Sequence, residues 1–267
     1  MTLSRNQKIA CQFDKAVNYD SASSIQKEAA ERLAHLVGRH LTLKAPATIL
    51  EIGCGTGHLS EQLLRLYPEA SFILSDIAPQ MLERTESKIR QTGLYSPKIQ
   101  FHLMDGEIFD PPPPSRQVTL IVSNLCIQWF RDRPSAFKYF AEFLLPGGML
   151  CLTTLANGTF HEWKESCKVA SVSCGIPDYP TLSTLNSDWP KHGKGEWYLQ
   201  TIKEDMPSAH VFLRNLKAIG ASLPHATHRP LKISALQKAM TVFDKAYHDI
   251  TYQIAFGLFR KDLKCTK

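Results

Sequence analysis

Glycine recurs at alternate positions in the run Leu50-Glu51-Ile52-Gly53-Cys54-Gly55-Thr56-Gly57, and His58 follows it. Glycines let the backbone turn sharply and let a ligand approach the main chain. A dinucleotide fingerprint has the spacing G-x-G-x-x-G, whose third glycine is missing here. A helix beginning near His58 would aim free N–H groups at the crevice and favour an anionic group. Glu51, two residues ahead of Gly53, lines the same loop with negative charge. Such a loop suits a ligand carrying both an ammonium and a carboxylate better than a pyrophosphate. The alternative is a plain glycine-rich turn in some other α/β enzyme.

Further carboxylates stand in register with this loop. Asp76, followed by Ile77, lies 23 positions beyond Gly53, where an acid can accept from both hydroxyls of a ribose. Its simpler role would be to cap a helix ahead of Pro79. Met81 would pack on an adenine face or serve as ordinary core. In Asp105-Gly106-Glu107 a carboxylate would accept from the adenine amino group, and Gly106 would allow close approach. Asn124 would border the crevice beneath a reactive sulfonium, unless it only forms a turn. The ligand that combines an amino acid, a ribose and an adenine is S-adenosylmethionine. Its candidate binding residues are Glu51, Gly53, Cys54, Gly55, Gly57, Asp76, Ile77, Met81, Asp105, Gly106, Glu107 and Asn124.

Alternating strands and helices must carry these groups. The apolar run 48–52 reads as a buried strand. Leu59, Leu63, Leu64 and Tyr67 continue at helical spacing until Pro68. Further strands are expected over 71–75, 98–104, 118–123 and 149–154. Helices are expected from Pro79, where proline suits the first turn, and over 134–144. Pro111–Pro114 reads as a rigid loop and Pro146-Gly147-Gly148 as a turn. Ahead of this core, Ile9, Phe13, Ala16 and Val17 mark one helix, ending near Asn18, and Ala29 to Val37 mark another with Ser24 as its N-cap; Pro46 then punctuates. Beyond Thr154 the pattern gives helices over 160–172, 211–219 and 235–247, a loop over 178–195, and strands over 197–203 and 250–259. The fold class is α/β: a doubly wound, mainly parallel, Rossmann-like sheet with added N-terminal helices and a helical lid. Residues 1–45 would form a helical cap over the cofactor site, and 46–267 the catalytic domain with a lid insertion at about 156–248.

Bulk composition narrows the class. The chain has 267 residues, 43% hydrophobic and 21% charged, with a net charge of +6. That balance fits an acidic partner, yet no basic stripe with interleaved aromatics points to nucleic acid. The cysteines number 7, Cys265 among them, with no C-x-x-C pair. This argues against a zinc site or disulfide framework and fits a reducing cytoplasm. Charges at Arg5, Lys8, Asp14 and Lys15 break any signal-peptide core. No apolar run is long enough to span a membrane.

These residues resemble the class I S-adenosylmethionine methyltransferases over roughly 47–155. The resemblance implies that Glu51–Gly57 hold the methionine part of the cofactor, Asp76 the ribose and Asp105–Glu107 the adenine. Nearly the whole chain is similar to the malonyl-[acyl-carrier protein] O-methyltransferases of biotin synthesis. The similarity runs through Lys8-Ile9-Ala10, Phe13, Tyr19-Asp20, Ile25-Gln26, Ser75-Asp76, Met81-Leu82, Ser123-Asn124-Leu125, Gln128-Trp129, Leu213-Arg214, Leu216 to Ala221, and Ile250-Thr251-Tyr252 with Gly257. The stretch about 160–200 carries no such match, and Gly106 stands where a small alanine is expected.

That family implies methylation of the free carboxylate of a malonyl thioester, so that elongation can build a pimeloyl chain. The implied partner is acyl-carrier protein bearing malonyl, or malonyl-CoA, with no nucleic acid or membrane. A malonyl carboxylate is ionised at neutral pH, so neither a general base nor a metal is required. Tyr19, Gln128 and Trp129 would line the substrate pocket, Trp129 serving equally well as core. Arg214 would grip the carboxylate as a bidentate fork, with Lys217 at i+3 assisting; both would otherwise be surface charges. Lys191, Lys194 and Lys203 would form part of a docking face. Rival readings are a methyltransferase for a small carboxylic acid or other metabolite, a non-catalytic S-adenosylmethionine-binding partner protein and, more weakly, a nucleic-acid methyltransferase, whose proline-proline-tyrosine core is absent after the fourth strand.

Overall fold

The computed structural model of the chain describes residues 4–16, 19–42, 47–110, 112–114, 117–220 and 231–263. Val17, Asn18, Pro46, Pro111, Ala221 and Cys265, which entered the sequence reading, lie outside them. Seven strands form one sheet in the order β3-β2-β1-β4-β5-β7-β6. They are β1 (Thr48–Ile52), β2 (Ser71–Asp76), β3 (Ile99–Leu103), β4 (Val118–Ser123), β5 (Leu144–Leu155), β6 (Gly193–Asp205) and β7 (Asp249–Lys261). The first five are parallel, while β7 runs antiparallel to both β5 and β6. β1 pairs with β2 on one side and β4 on the other. The strand order therefore reverses at β1 and opens a crevice at the carboxyl ends of β1 and β4.

Strands buried on both faces need apolar residues at every position. Ile49, Phe72, Leu74, Leu120, Val122 and Cys151 point to one core. It is shared by α2 (Ser24–His40), α3 (His58–Leu66) and Ile89 of α4 (Pro79–Gln91). The intervening Leu50, Ile73, Ile121, Leu150 and Leu152 point to the other, packed by Phe137, Phe140 and Phe143 of α5 (Arg133–Phe143). α6 (His161–Val169), α8 (Ala209–Ala218) and α9 (Ile233–Ala246) extend the first core beyond the sheet. α1 (Arg5–Asp14) is closed by a capping box between Ser4 and Gln7.

Several boundaries differ from the sequence reading. The N-cap position of α2 is Ser23, and Ser24 is already helical. The stretch expected as loop contains α7 (Leu182–Ser187), whose Thr181 side chain accepts from Thr184 N, and β6 begins within it at Gly193. Four residues of β5 lie between the partners of Val118 and Leu120, so Pro146-Gly147-Gly148 bulges within a strand instead of ending one. Leu144 belongs to that strand and not to α5. Within the expected 1–45 cap, α2 packs into the main core through Ala29, Leu33 and Val37.

Candidate functional site

A cavity of about 690 Å³, counted to its open mouth, sits at the carboxyl ends of the strands around the crossover. Its floor is Ile52, Gly53 and Gly55 from β1 and its loop; Asp76 and Ile77 follow β2, and Asp105, Gly106 and Glu107 follow β3. Asn124, Leu125 and Cys126 close the side after β4, with Trp129 and Phe130 beyond them. Asn6, Ile9, Phe13 and Tyr19 from the N-terminal segment form the remaining wall. Phe13 meets Trp129 edge-on at 5.6 Å between ring centroids.

Asp76 is the best-held acid of the site. It is 8% exposed. Its Oδ2 accepts from Gly55 N at 2.9 Å and its Oδ1 from Ala78 N at 2.9 Å. Burial nonetheless raises its pKa to about 6, opposed by the backbone donors. Desolvation thus exceeds what those donors return, and a cationic or hydroxyl-bearing ligand would restore the carboxylate. Asp105 Oδ1 accepts from Glu107 N at 3.0 Å, and its Oδ2 from Asn6 Nδ2 at 2.5 Å. Glu107 Oε1 accepts from the backbone of Arg131 and Asp132 at 2.7 and 2.8 Å. Three carboxylates therefore line the cavity, and no Lys, Arg or His side chain does so among the described residues. Burial pushes the nearby Tyr19 phenol up, with Asp76 and Asp20 adding to the shift. The Cys126 thiol is pushed up to about 12, chiefly by burial, so it stays neutral. A wall set of this sign fits a cationic sulfonium nucleoside.

The structure brings Tyr19, Gly53, Gly55, Asp76, Ile77, Met81, Asp105, Gly106, Glu107, Asn124 and Trp129 to the cavity. Six expected residues fall elsewhere. Glu51 is 1% exposed behind the loop, where its Oε2 accepts from Ser60 Oγ at 2.6 Å. Cys54 faces the core below the loop, and its N–H donates to Ser75 O at 2.9 Å. Gly57 caps α3 against Thr85. Gln128 Nε2 donates to Leu125 O at 2.7 Å. Arg214 and Lys217 are exposed on α8, outside the cavity lining. Asn124 reaches the wall, yet its amide is engaged. Its Nδ2 donates to Gln26 O at 2.9 Å, and its Oδ1 accepts from Thr153 Oγ1 at 2.8 Å. It clamps β4 to α2 and β5.

Asn6, Leu125, Cys126 and Phe130 were not foreseen in the cavity. Leu125 carries a left-handed φ of 47°, a strained turn held by its N–H to Thr153 Oγ1 at 2.8 Å. No local sequence pattern signals that strain. Ile9 and Phe13 belong to the segment expected to cap the cofactor site, but their helical spacing does not say which side chains face the cavity.

Glu51 permits a clean test. Burial raises its pKa to about 8, against the Ser60 hydrogen bond. A raised folded pKa gives stability that is complete below the ordinary carboxylate value and is lost as pH rises through about 8. Glu51→Gln should therefore melt a few degrees higher than the parent at pH 8 and alike at pH 4, by calorimetry. Affinity for S-adenosylhomocysteine should change less than about threefold; a loss of about tenfold or more would instead show that Glu51 holds the ammonium of the ligand.

Residues 49–148 match the family described as Methyltransferase domain. A malonyl-[acyl-carrier protein] O-methyltransferase of Magnetococcus marinus is 33% identical over 259 residues, 96% of this chain and 93% of that protein. The biotin biosynthesis bifunctional protein BioCD of Bordetella avium is 36% identical over 258 residues, 96% of this chain and 53% of that protein. Among solved structures, Haemonchus contortus Phospholethanolamine N-methyltransferase 2, in complex with phosphomonomethylethanolamine and S-adenosylhomocysteine, superposes with a TM-score of 0.62. It is 14% identical, covering 98% of this chain and 61% of that one, a likeness of fold.

Proposed function

The chain belongs to the malonyl-[acyl-carrier protein] O-methyltransferase family, and from that premise we propose that it methylates the free carboxylate of a malonyl thioester as the opening step of pimeloyl assembly for biotin. The observation that carries this reading is the cavity at the crossover of the sheet, lined by three acids and, among the described residues, by no Lys, Arg or His side chain. S-adenosylmethionine, when bound, supplies an activated methyl group on a sulfonium. Asp76 would hold its ribose, Asp105 and Glu107 would face its adenine, and the backbone of Gly53 and Gly55 would meet its methionine portion.

The remaining tasks fall to this chain's own side chains. A carboxylate acceptor is ionised at neutral pH and needs no proton removed. The protein has to align two reactants and keep water away; alignment alone is worth up to about 7–11 kcal/mol in favourable systems. Phe13, Tyr19, Leu125 and Trp129 provide a largely apolar wall for that purpose. The Tyr19 hydroxyl remains protonated there and can donate to an acceptor oxygen. Radiolabelled methyl transfer to malonyl-carrier protein, malonyl-CoA and free small diacids tests the reading. Transfer to a malonyl thioester supports it. Transfer only to free acids favours the small-acid alternative, and none to any acceptor favours the non-catalytic one.

The carrier would dock through α8. His210, Arg214 and Lys217 share one exposed face at i, i+4 and i+7 and make no ion pair among the described residues. Lys203, by contrast, is engaged with Asp249 at 3.0 Å. The Arg214→Ala, Lys217→Ala double variant should lower kcat/KM for the carrier-bound acceptor about tenfold at low salt, with the gap closing as salt is added. S-adenosylhomocysteine binding should stay unchanged. A salt-independent rate would remove α8 from docking. The reducing cytoplasm fits the free cysteines of the described chain, and none of its described helices is long and apolar enough to cross a membrane.

A further inference from the structure

Beside the cavity, four elements converge on one half-exposed carboxylate. Asp20 opens the 3₁₀ turn Asp20–Ala22. Its Oδ1 accepts from Thr56 Oγ1 at 2.5 Å, and Thr56 belongs to the glycine loop and is 2% exposed. His58, the first residue of α3, places Nε2 at 3.4 Å from the same oxygen and at 3.1 Å from Ser23 Oγ, a fully buried hydroxyl. Lys88 of α4 sets its Nζ at 3.5 Å from His58 Nδ1 and 3.8 Å from Asp20 Oδ2.

The donor inventory fixes the histidine. An ammonium has no acceptor, so Nδ1 beside Lys88 must be the bare nitrogen and Nε2 carries the hydrogen. That hydrogen faces Ser23 and Asp20. The groups that face His58 are Asp20 from the turn, Lys88 from α4, Lys27 from α2 and Glu61 from α3. Burial and the Lys88 charge push its pKa down to about 4, which keeps this neutral form at neutral pH.

We propose that Asp20 is a positioning residue, clamping the segment that bears Tyr19 onto Thr56 so that cavity wall and glycine loop close as one unit. The inference rests on the cofactor cavity proposed above. Tyr19 is the neighbour of Asp20 in the chain, and its hydroxyl oxygen is the atom nearest to where a Cβ on Gly55 would stand, 3.9 Å away. Two further ties anchor the same strap to α4. Arg84 NH1 donates to Ala16 O at 2.6 Å, and Gln80 N donates to Asp14 Oδ1 at 3.1 Å. Those ties hold the strap to a helix, and among the described residues Asp20 joins it by a hydrogen bond to the glycine loop that forms the cavity floor. Surface ion pairs by themselves contribute little. The consequence of Asp20 comes from the buried Thr56 hydroxyl, which loses its charged acceptor when Asp20 is removed.

The test is stopped-flow release of S-adenosylhomocysteine, read by intrinsic tryptophan fluorescence, to which Trp129 in the cavity wall contributes. Asp20→Ala should speed release about tenfold or more, the value expected for a lost hydrogen bond to a charged group. Asp20→Asn, which keeps the acceptor, should stay within about threefold of the parent. Thr56→Val should match Asp20→Ala, and the double variant should add nothing, because one bond is lost in all three. Hydrogen exchange over residues 5–16 and 19–22 of the ligand-free protein should rise in Asp20→Ala and Thr56→Val and not in Asp20→Asn. A role in general stability would give additive effects without faster release. Uptake by the parent with parental release rates in the variants overturns the clamp alone. No uptake by the parent overturns the cavity reading and the clamp with it.

Discussion

Asp76→Ala should reduce affinity for S-adenosylhomocysteine by about 100-fold or more, as expected when a buried acceptor of two charge-assisted hydrogen bonds is removed. The residue has two duties. It organises the loop, since Gly55 N and Ala78 N donate to its two oxygens. It also presents the ionised group that a ribose would meet. Truncation leaves both N–H groups without an acceptor and removes the ligand's partner, so melting temperature and affinity fall together. Asp76→Asn separates the duties: it preserves shape and one acceptor, so it should keep more stability than affinity. The pH dependence follows from the raised pKa of about 6. Ligand binding favours the ionised form. Affinity of the parent should therefore be flat above that value and fall by up to tenfold per pH unit below it. Binding near pH 6 should release a proton, and Asp76→Asn should abolish both effects. A parent affinity unchanged between pH 7 and 5 would remove Asp76 from the binding site.

Gly53→Ala should also weaken cofactor binding strongly, for a reason that a second glycine isolates. Gly53 has a φ of +69°, and a Cβ there would stand 2.5 Å from Cys126 Sγ and 2.8 Å from Cys126 Cβ. Cys126 lines the cavity directly after the strained Leu125, so it has little freedom to retreat. Gly93 has nearly the same φ, +72°, but a Cβ there meets nothing within 4 Å. Gly93→Ala thus reports the backbone strain alone, about 1–2 kcal/mol, with ligand affinity intact. Gly53→Ala adds a collision at the cavity floor, and its affinity should drop at least about 100-fold, beyond what that strain explains. Equal affinities in the two variants would contradict the claim that the Gly53–Cys126 contact shapes the ligand-binding floor of the cavity.

The parallel core was readable because its signals are local. Thr48–Ile52 is a short apolar run ended by glycine, Pro79 opens a helix, and Asp76 closes a strand; each constrains its own neighbourhood. What escaped the sequence depends on distant partners. The polar duties of Asn124 are set by Gln26 and Thr153, far along the chain. Glu51 looks like a loop acid until Ser60 is found on its carboxylate and the cavity on its other side. Arg214 has the right chemistry for a carboxylate, yet the orientation of α8, which no periodicity fixes relative to the crevice, leaves it in solvent. For the wall made by Asn6, Ile9 and Phe13, an N-terminal cap over the site was expected, but which of its side chains face the cavity was not legible. The short α7 lay hidden in a proline-bearing stretch because its start depends on one Thr181 cap.

The most direct measurement is tandem mass spectrometry of malonyl-carrier protein after incubation with the protein and S-adenosylmethionine. The account predicts one added methyl, placed on the terminal carboxylate of the acyl group, and none when Asp76→Ala replaces the parent. An acyl group recovered without methyl, from protein that demonstrably binds S-adenosylhomocysteine, would contradict it.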